Sequence, residues 1–244
     1  MQDLITPEKH LFIGLSETWL QSHLDAELTI EGYTIFRCDS ARRKKSSRGR
    51  LTGGAALYVR NDIACSSEII TSYSSSAVQA LCIHSKTENI AIAVIYRQPD
   101  NSSNGYPSTP SDFRTALSHL KSAMADLSPV PDFIFGGDFN LPHAVWPTGT
   151  TGPGATKDEK NMIHTLNEFS NELFLTEIVE GPTHKDGNTL DLVFTNNIDL
   201  VHHWSTIPVL QSTSHHSAIQ VATTYKTFSA LEDVPPPPSL DLIP

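Results

Sequence analysis

The sequence predicts an α/β (α+β) fold built as a two-layer β-sandwich flanked by helices. Three observations point there: strand-like segments outnumber helical ones, two helical segments fall as crossovers between strands, and polar residues gather where apolar strands end. Residues 11–15, LFIGL, are a short apolar run that reads as a buried strand. GGAALYVR at 53–60 and VQALCIH at 78–84 are two further strands. NIAIAVIY at 89–96 is the strongest, because a β-branched and almost continuously apolar run suits a strand covered on both faces. A Pro/Gly/Ser loop, RQPDNSSNGYPSTPS, ends that strand and delivers a helix start at TPSDF. The helix, 112–127, sets Phe113, Ala116, Leu117, Leu120, Met124 and Leu127 along one stripe. PDFIFGGDFN at 131–140 is another buried strand, broken by a glycine pair that releases Asp138 and Asn140. Residues 143–155 have loop composition, and a second helix, 157–173, turns Met162, Leu166 and Phe169 inward. TLDLVFT at 189–195 and SAIQVATTY at 217–225 complete the strands.

Residues 1–226 are expected to form one domain. Residues 227–244, which include EDVPPPPSLDLIP, are expected to be a disordered proline-rich tail with too little apolar surface to fold. A chain of 244 residues with 39% apolar content is long enough for one substantial core. No run approaches the roughly 18 apolar residues of a membrane span, and the first ten residues lack the regions of a signal peptide. The nucleus or cytoplasm is therefore the expected compartment, without secretion and without a membrane partner. Cys38, Cys65 and Cys82 match neither a disulfide scaffold nor a zinc site, which argues against redox chemistry. A net charge of -10 argues against a general nucleic-acid coat protein. It leaves room for a local basic patch, and six basic residues, Arg42, Arg43, Lys44, Lys45, Arg48 and Arg50, fall within RRKKSSRGR. They read either as a solvated loop or as a phosphate-backbone contact.

The chemistry-bearing residues sit at strand ends. Glu17 follows the first strand, Tyr96 ends a second, Asp138 and Asn140 end a third, Asp191 lies within TLDLVF, and His216 opens the last. Rigid strands hold side chains that adjoining loops expose to a substrate. Carboxylates, an amide, a phenol and an imidazole suit divalent-cation chemistry on a phosphate ester. Glu17 would supply a carboxylate to Mg²⁺, Asp138 would orient or deprotonate the attacking water, and Asn140 would donate its amide to a phosphoryl oxygen. His216, oriented by Asp191, would add charge-assisted stabilisation. Each residue alone has a plainer reading: Glu17 as a surface acid, Asp138 and Asn140 as turn formers, Tyr96 as a core cap, Asp191 as solvent-facing, His216 as a surface residue.

Taken in order, SETW, IYRQP, GGDFN, TLDLVFT and the histidine pair after Ser214 resemble the endonuclease/exonuclease/phosphatase superfamily, with its deoxyribonuclease-I-like fold, across residues 11–221. Within it the chain is most similar to the apurinic-type endonuclease domains of jockey-like non-LTR retrotransposons. The resemblance implies a divalent-metal-dependent DNA endonuclease that nicks target DNA and leaves a 3′ hydroxyl end. It implies metal binding by Glu17, phosphate contact by Tyr96, water activation by Asp138, phosphate binding by Asn140 and support of the catalytic His216 by Asp191. DNA is the implied partner, together with a reverse transcriptase domain absent from this chain; Mg²⁺ is the implied cofactor, with Mn²⁺ the alternative. The basic stretch is the implied phosphate-backbone contact, while Trp146 reads equally as a residue that stacks on DNA or as one packed into the base of its loop.

The chain departs from the family pattern in four places. Gln98 stands where a proline is usual. His215 stands where the family carries an aspartate that helps hold the metal site directly or through water, so weaker Mg²⁺ binding is expected from the lost negative charge, with a shift toward Mn²⁺ or Zn²⁺ as a hypothesis. The family's first strand and its asparagine have no counterpart, which leaves an unpaired sheet edge. Nothing after residue 226 resembles a reverse transcriptase. A catalytically impaired retroelement remnant or a non-catalytic DNA-binding module is the alternative reading, and a phosphatase of small phosphoesters is a weaker one.

Overall fold

A computed structural model describes residues 10–20, 29–41, 53–100, 108–208 and 215–223. Arg42, Arg43, Lys44, Lys45, Arg48, Arg50 and the proline-rich tail lie outside the described residues. Strands β1 (Phe12–Ser16), β2 (Tyr33–Cys38) and β3 (Ala55–Arg60) form one sheet in the order β1-β3-β2. A single helical turn, α1 (Asn61–Ala64), leads into β4 (Ser67–Ser74), β5 (Val78–Ser85) and β6 (Ile90–Arg97). Helix α2 (Pro110–Ala125) crosses to β7 (Asp132–Asp138), which pairs parallel to β6. After the short hairpin β8 (Ala144–Val145) and β9 (Thr150–Thr151) come α3 (Lys157–Glu172), β10 (Thr176–Glu177) and β11 (Asp191–Thr195). The second sheet runs β10-β11-β7-β6-β5-β4. Strands β12 (Val201–Pro208) and β13 (Ser217–Thr223) pair with each other.

The continuous apolar run of β6 is explained by burial of both its faces. Ala91, Ala93 and Ile95 join Phe113, Leu117 and Leu120 of α2 and Met162, Leu166 and Phe169 of α3 in one core. Ile90, Ile92 and Val94 face the other way and join Leu57, Val59 and Leu81 between the two sheets. Both helices start where a threonine caps them: the Thr109 hydroxyl accepts from Asp112 N and that of Thr156 from Glu159 N, each at 3.1 Å.

The sequence reading missed β2, β4, β12 and the two-residue strands β8, β9 and β10. The residues of β4 are half-buried or exposed along an outer strand of the large sheet, and β12 carries a bulge between Val201 and His203 that interrupts its alternation. Strand β1 pairs only with β3, so its second edge is unpaired among the described residues, and Phe12, Ile13 and Leu15 are only half-buried.

The glycine pair ahead of Asp138 is a packing requirement. Gly137 has φ +142°, and a Cβ there would lie 1.9 Å from the carbonyl oxygen of Ile95. No side chain fits without parting β7 from β6. Gly137→Ala is therefore expected to lower the unfolding free energy by about 3 kcal/mol, measured by denaturant melt; an alanine variant as stable as the wild type would contradict this close approach.

Candidate active site

Strand register does most of the assembly. Tyr96 of β6 pairs with Asp138 of β7, and Asp138 pairs with Asp191 of β11. Directly paired residues share a face of the sheet, so the phenol and the two carboxylates form one row across three adjacent strands. That face is the one β6 turns toward the first sheet, and from there the Tyr96 hydroxyl donates to Glu17 Oε1 at 3.1 Å. The chain just beyond β1 holds Glu17 at φ 54°, and Thr18 N and Trp19 N donate to the carbonyls of Gly54 and Gly53.

His216 lies immediately before β13, and its Nδ1 lies 2.8 Å from Asp191 Oδ2. The loop between β10 and β11 makes the meeting possible. Ser217 N donates to Thr183 O, Lys185 N donates to His215 O, and His184 forms a β-bridge with His216. The Thr183 hydroxyl, buried, accepts from both Leu190 N and Asp191 N at 3.0 Å. This one loop therefore holds both the aspartate and its histidine. The His184 ring stands edge-on to that of His216, with centroids 4.9 Å apart. Sequence reading missed Thr183 and His184, for they lie in a polar, turn-like segment with no strand periodicity.

The electrostatics follow from burial and neighbouring charge. The hydrogen bond to Asp191 raises the His216 pKa from 6.5 to about 9, against the opposing effect of desolvation. Burial, and then the negative charge of Asp191, push the Asp138 carboxyl well above its ordinary value, with His216 pulling it back. Burial, then Glu17 and Asp138, raise the Tyr96 phenol, so it stays a hydrogen-bond donor at neutral pH.

Asn140 differs from expectation. At φ 49°, it donates its backbone N–H to Asp138 Oδ1 at 3.0 Å, and its Nδ2 to Asp138 Oδ2 at 2.9 Å and Arg97 O at 2.7 Å. Both partners of the amide nitrogen are pure acceptors, which fixes the amide orientation. The two amide hydrogens are spent inside the protein, so Asn140 orients Asp138 and has none left for a phosphoryl oxygen.

His215 does not join the carboxylates. It is exposed, with its ring edge-on to that of His184 at 5.9 Å. Among the described residues, the donor atoms gathered within 4.8 Å of one another are those of Asp138, Asp191 and His216. Of the two residues expected to bind metal, neither Glu17 nor His215 belongs to that group. Of the two readings of Trp146, the packed one has support: half-buried, it stands edge-on to Phe194 at 5.8 Å with its indole N–H buried.

A family model described as endonuclease-reverse transcriptase matches residues 90–220, which hold every site residue except Glu17. Among solved structures, the endonuclease domain of TRAS1, a telomere-specific non-LTR retrotransposon, is 19% identical with a TM-score of 0.51, over 87% of this chain and 84% of that one. The AP endonuclease LMAP from Leishmania major is 14% identical with a TM-score of 0.55, over 88% and 78%. The Xenopus laevis APE2 catalytic domain is 13% identical with a TM-score of 0.55, over 90% and 87%. Identities this low speak for the fold. None of the curated proteins compared matches the chain. No helix among the described residues is long and apolar enough to cross a membrane.

Proposed function

Because the chain belongs to the endonuclease-reverse transcriptase family, within the endonuclease/exonuclease/phosphatase superfamily, we propose that it is a divalent-metal-dependent DNA endonuclease that nicks target DNA for retrotransposition. The observation that carries this reading is the row of Tyr96, Asp138 and Asp191 on adjacent strands, closed by Glu17 on one side and His216 on the other.

In the proposed reaction a water attacks the phosphorus in line, its oxygen forms the new P–O bond, and its proton passes to Asp138. Asn140 holds both Asp138 oxygens in the orientation that receives that proton. His216, protonated and aimed by Asp191, offers a charge-assisted hydrogen bond to the phosphoryl oxygens as negative charge builds on them. Tyr96 fixes Glu17 and lines the phosphate site. The bond to the 3′ oxygen breaks as that oxygen takes a proton from solvent water, leaving a 3′ hydroxyl and a 5′ phosphate.

The donor set fits a hard cation. Glu17 is exposed, its Oε1 takes the Tyr96 hydroxyl, and carboxylate oxygens with retained waters are what Mg²⁺ prefers. Glu17 would hold the ion, with Asp138 facing the same space. A divalent cation bound there supplies neutralising charge to the phosphoryl group.

Nicking of supercoiled plasmid by the purified chain tests the reading. Relaxation is expected with Mg²⁺ or Mn²⁺ and none with chelator, and Glu17→Gln should raise the Mg²⁺ concentration needed at least about tenfold. Cutting that persists unchanged in chelator would exclude the metal-dependent mechanism. His215→Ala is expected to keep its nicking rate within about threefold, as a surface change worth roughly 0.5 kcal/mol would; a loss on the scale of His216→Ala would return His215 to the site.

A further inference from the structure

Arg97 carries an unusual burden for a residue that the sequence reading passed over beside Tyr96. It ends β6, is fully buried, and is among the largest fully buried side chains. A buried guanidinium is costly unless each donor is met. Here Nε donates to Phe139 O at 2.7 Å, one terminal nitrogen to Asn140 O at 2.5 Å, and the other to Asp100 Oδ1 at 2.6 Å, to Ser108 Oγ and to Gln98 O at 3.3 Å. The two carbonyls it grips are consecutive and belong to the turn that leaves β7. That turn places Asn140 in the left-handed region, a conformation costly for a non-glycine residue unless its surroundings impose it.

The grip is reciprocal. Asn140 Nδ2 returns a hydrogen bond to Arg97 O and gives its other hydrogen to Asp138 Oδ2, while Asn140 N serves Asp138 Oδ1. We propose that Arg97 is a positioning residue: its planar fork locks the Phe139–Asn140 turn, and through that turn sets the orientation of the Asp138 carboxylate. The inference rests on the endonuclease reading for its catalytic consequence, but the lock itself is independent of it. Arg97 acts by shape rather than by charge, since two successive carbonyls match the fork and a lysine ammonium cannot reach both in its plane. Asp100 meets the charge on the side away from the turn, so the cation is neutralised where it does not compete for Asp138.

The test compares the whole chain with its Arg97→Lys and Arg97→Met variants. In the wild type the Asn140 side-chain amide, followed by heteronuclear NMR, should be protected from hydrogen exchange. In Arg97→Lys its resonances should shift and exchange at least about tenfold faster, although the charge is kept. Plasmid nicking should lose about a hundredfold in kcat with KM within about twofold, the cost of a small misplacement of a reacting group. Arg97→Met should fall by the same factor. Full activity and an unshifted Asn140 amide in Arg97→Lys would overturn the proposal in favour of a purely electrostatic role. A wild-type Asn140 amide that exchanges as a free amide would also overturn it, and that reading stands even if both variants fail to fold. Should the wild type not cut DNA at all, the endonuclease reading fails while the NMR comparison still decides whether the lock exists.

Discussion

Asp138→Asn is expected to lower the rate of DNA nicking by roughly a thousandfold to ten-thousandfold, the range of a lost general base. The substitution keeps the volume of a nearly fully buried side chain, so the fold should survive it. What disappears is the proton acceptor. Both Asp138 oxygens receive hydrogens from Asn140, and an amide at 138 would set its NH₂ group against either Asn140 N or Asn140 Nδ2, two donors face to face. Single-turnover cleavage of a labelled duplex, with circular dichroism as the control for folding, measures the effect. A folded variant that keeps more than about one tenth of the rate would remove Asp138 from the role of base.

The second large effect belongs to Asp191→Asn, which should slow nicking by about a hundredfold and move its pH profile. The active form needs Asp138 ionised and His216 protonated, so the profile is expected to be bell-shaped, with Asp138 setting the acid limb and His216 the alkaline one. The charge of Asp191 raises both groups. Removing it lowers both, and the two limbs should shift together to lower pH. The same pair bears on stability with a definite sign. Because the folded His216 pKa is raised from 6.5 to about 9, its contribution is complete below about pH 6.5 and is lost as pH rises through about 9. Limbs that stay in place in Asp191→Asn, or move apart, would show that Asp191 does not control this site.

Much of this arrangement is legible in the linear sequence, and the reason is geometric. Tyr96, Asp138 and Asp191 each interrupt or end an apolar run, and a polar residue at such a place is either solvent-facing or part of a site. The β6 run announces its double burial through unbroken apolar residues. The pairing of Tyr96 with Asp138, however, is a matter of register, which depends on the crossover through α2 and on the glycine pair. Residues that act through another residue are the ones sequence reading misses. Thr183 holds Asp191 with one hydroxyl from eight residues upstream, and Arg97 reaches Asn140 across 43 positions. Neither stands out by residue type.

The central claim is that this row of side chains directs water onto a phosphodiester. Cleavage of a defined duplex in heavy-oxygen water with Mg²⁺ or Mn²⁺, followed by mass spectrometry of the new ends, tests it most directly. The expected result is one heavy oxygen on the new 5′ phosphate, an unlabelled 3′ hydroxyl on the other fragment, and no product from Asp138→Asn under the same conditions. A folded wild-type chain that binds the duplex and leaves it intact with either metal, or that places the heavy oxygen on the 3′ side, would contradict it.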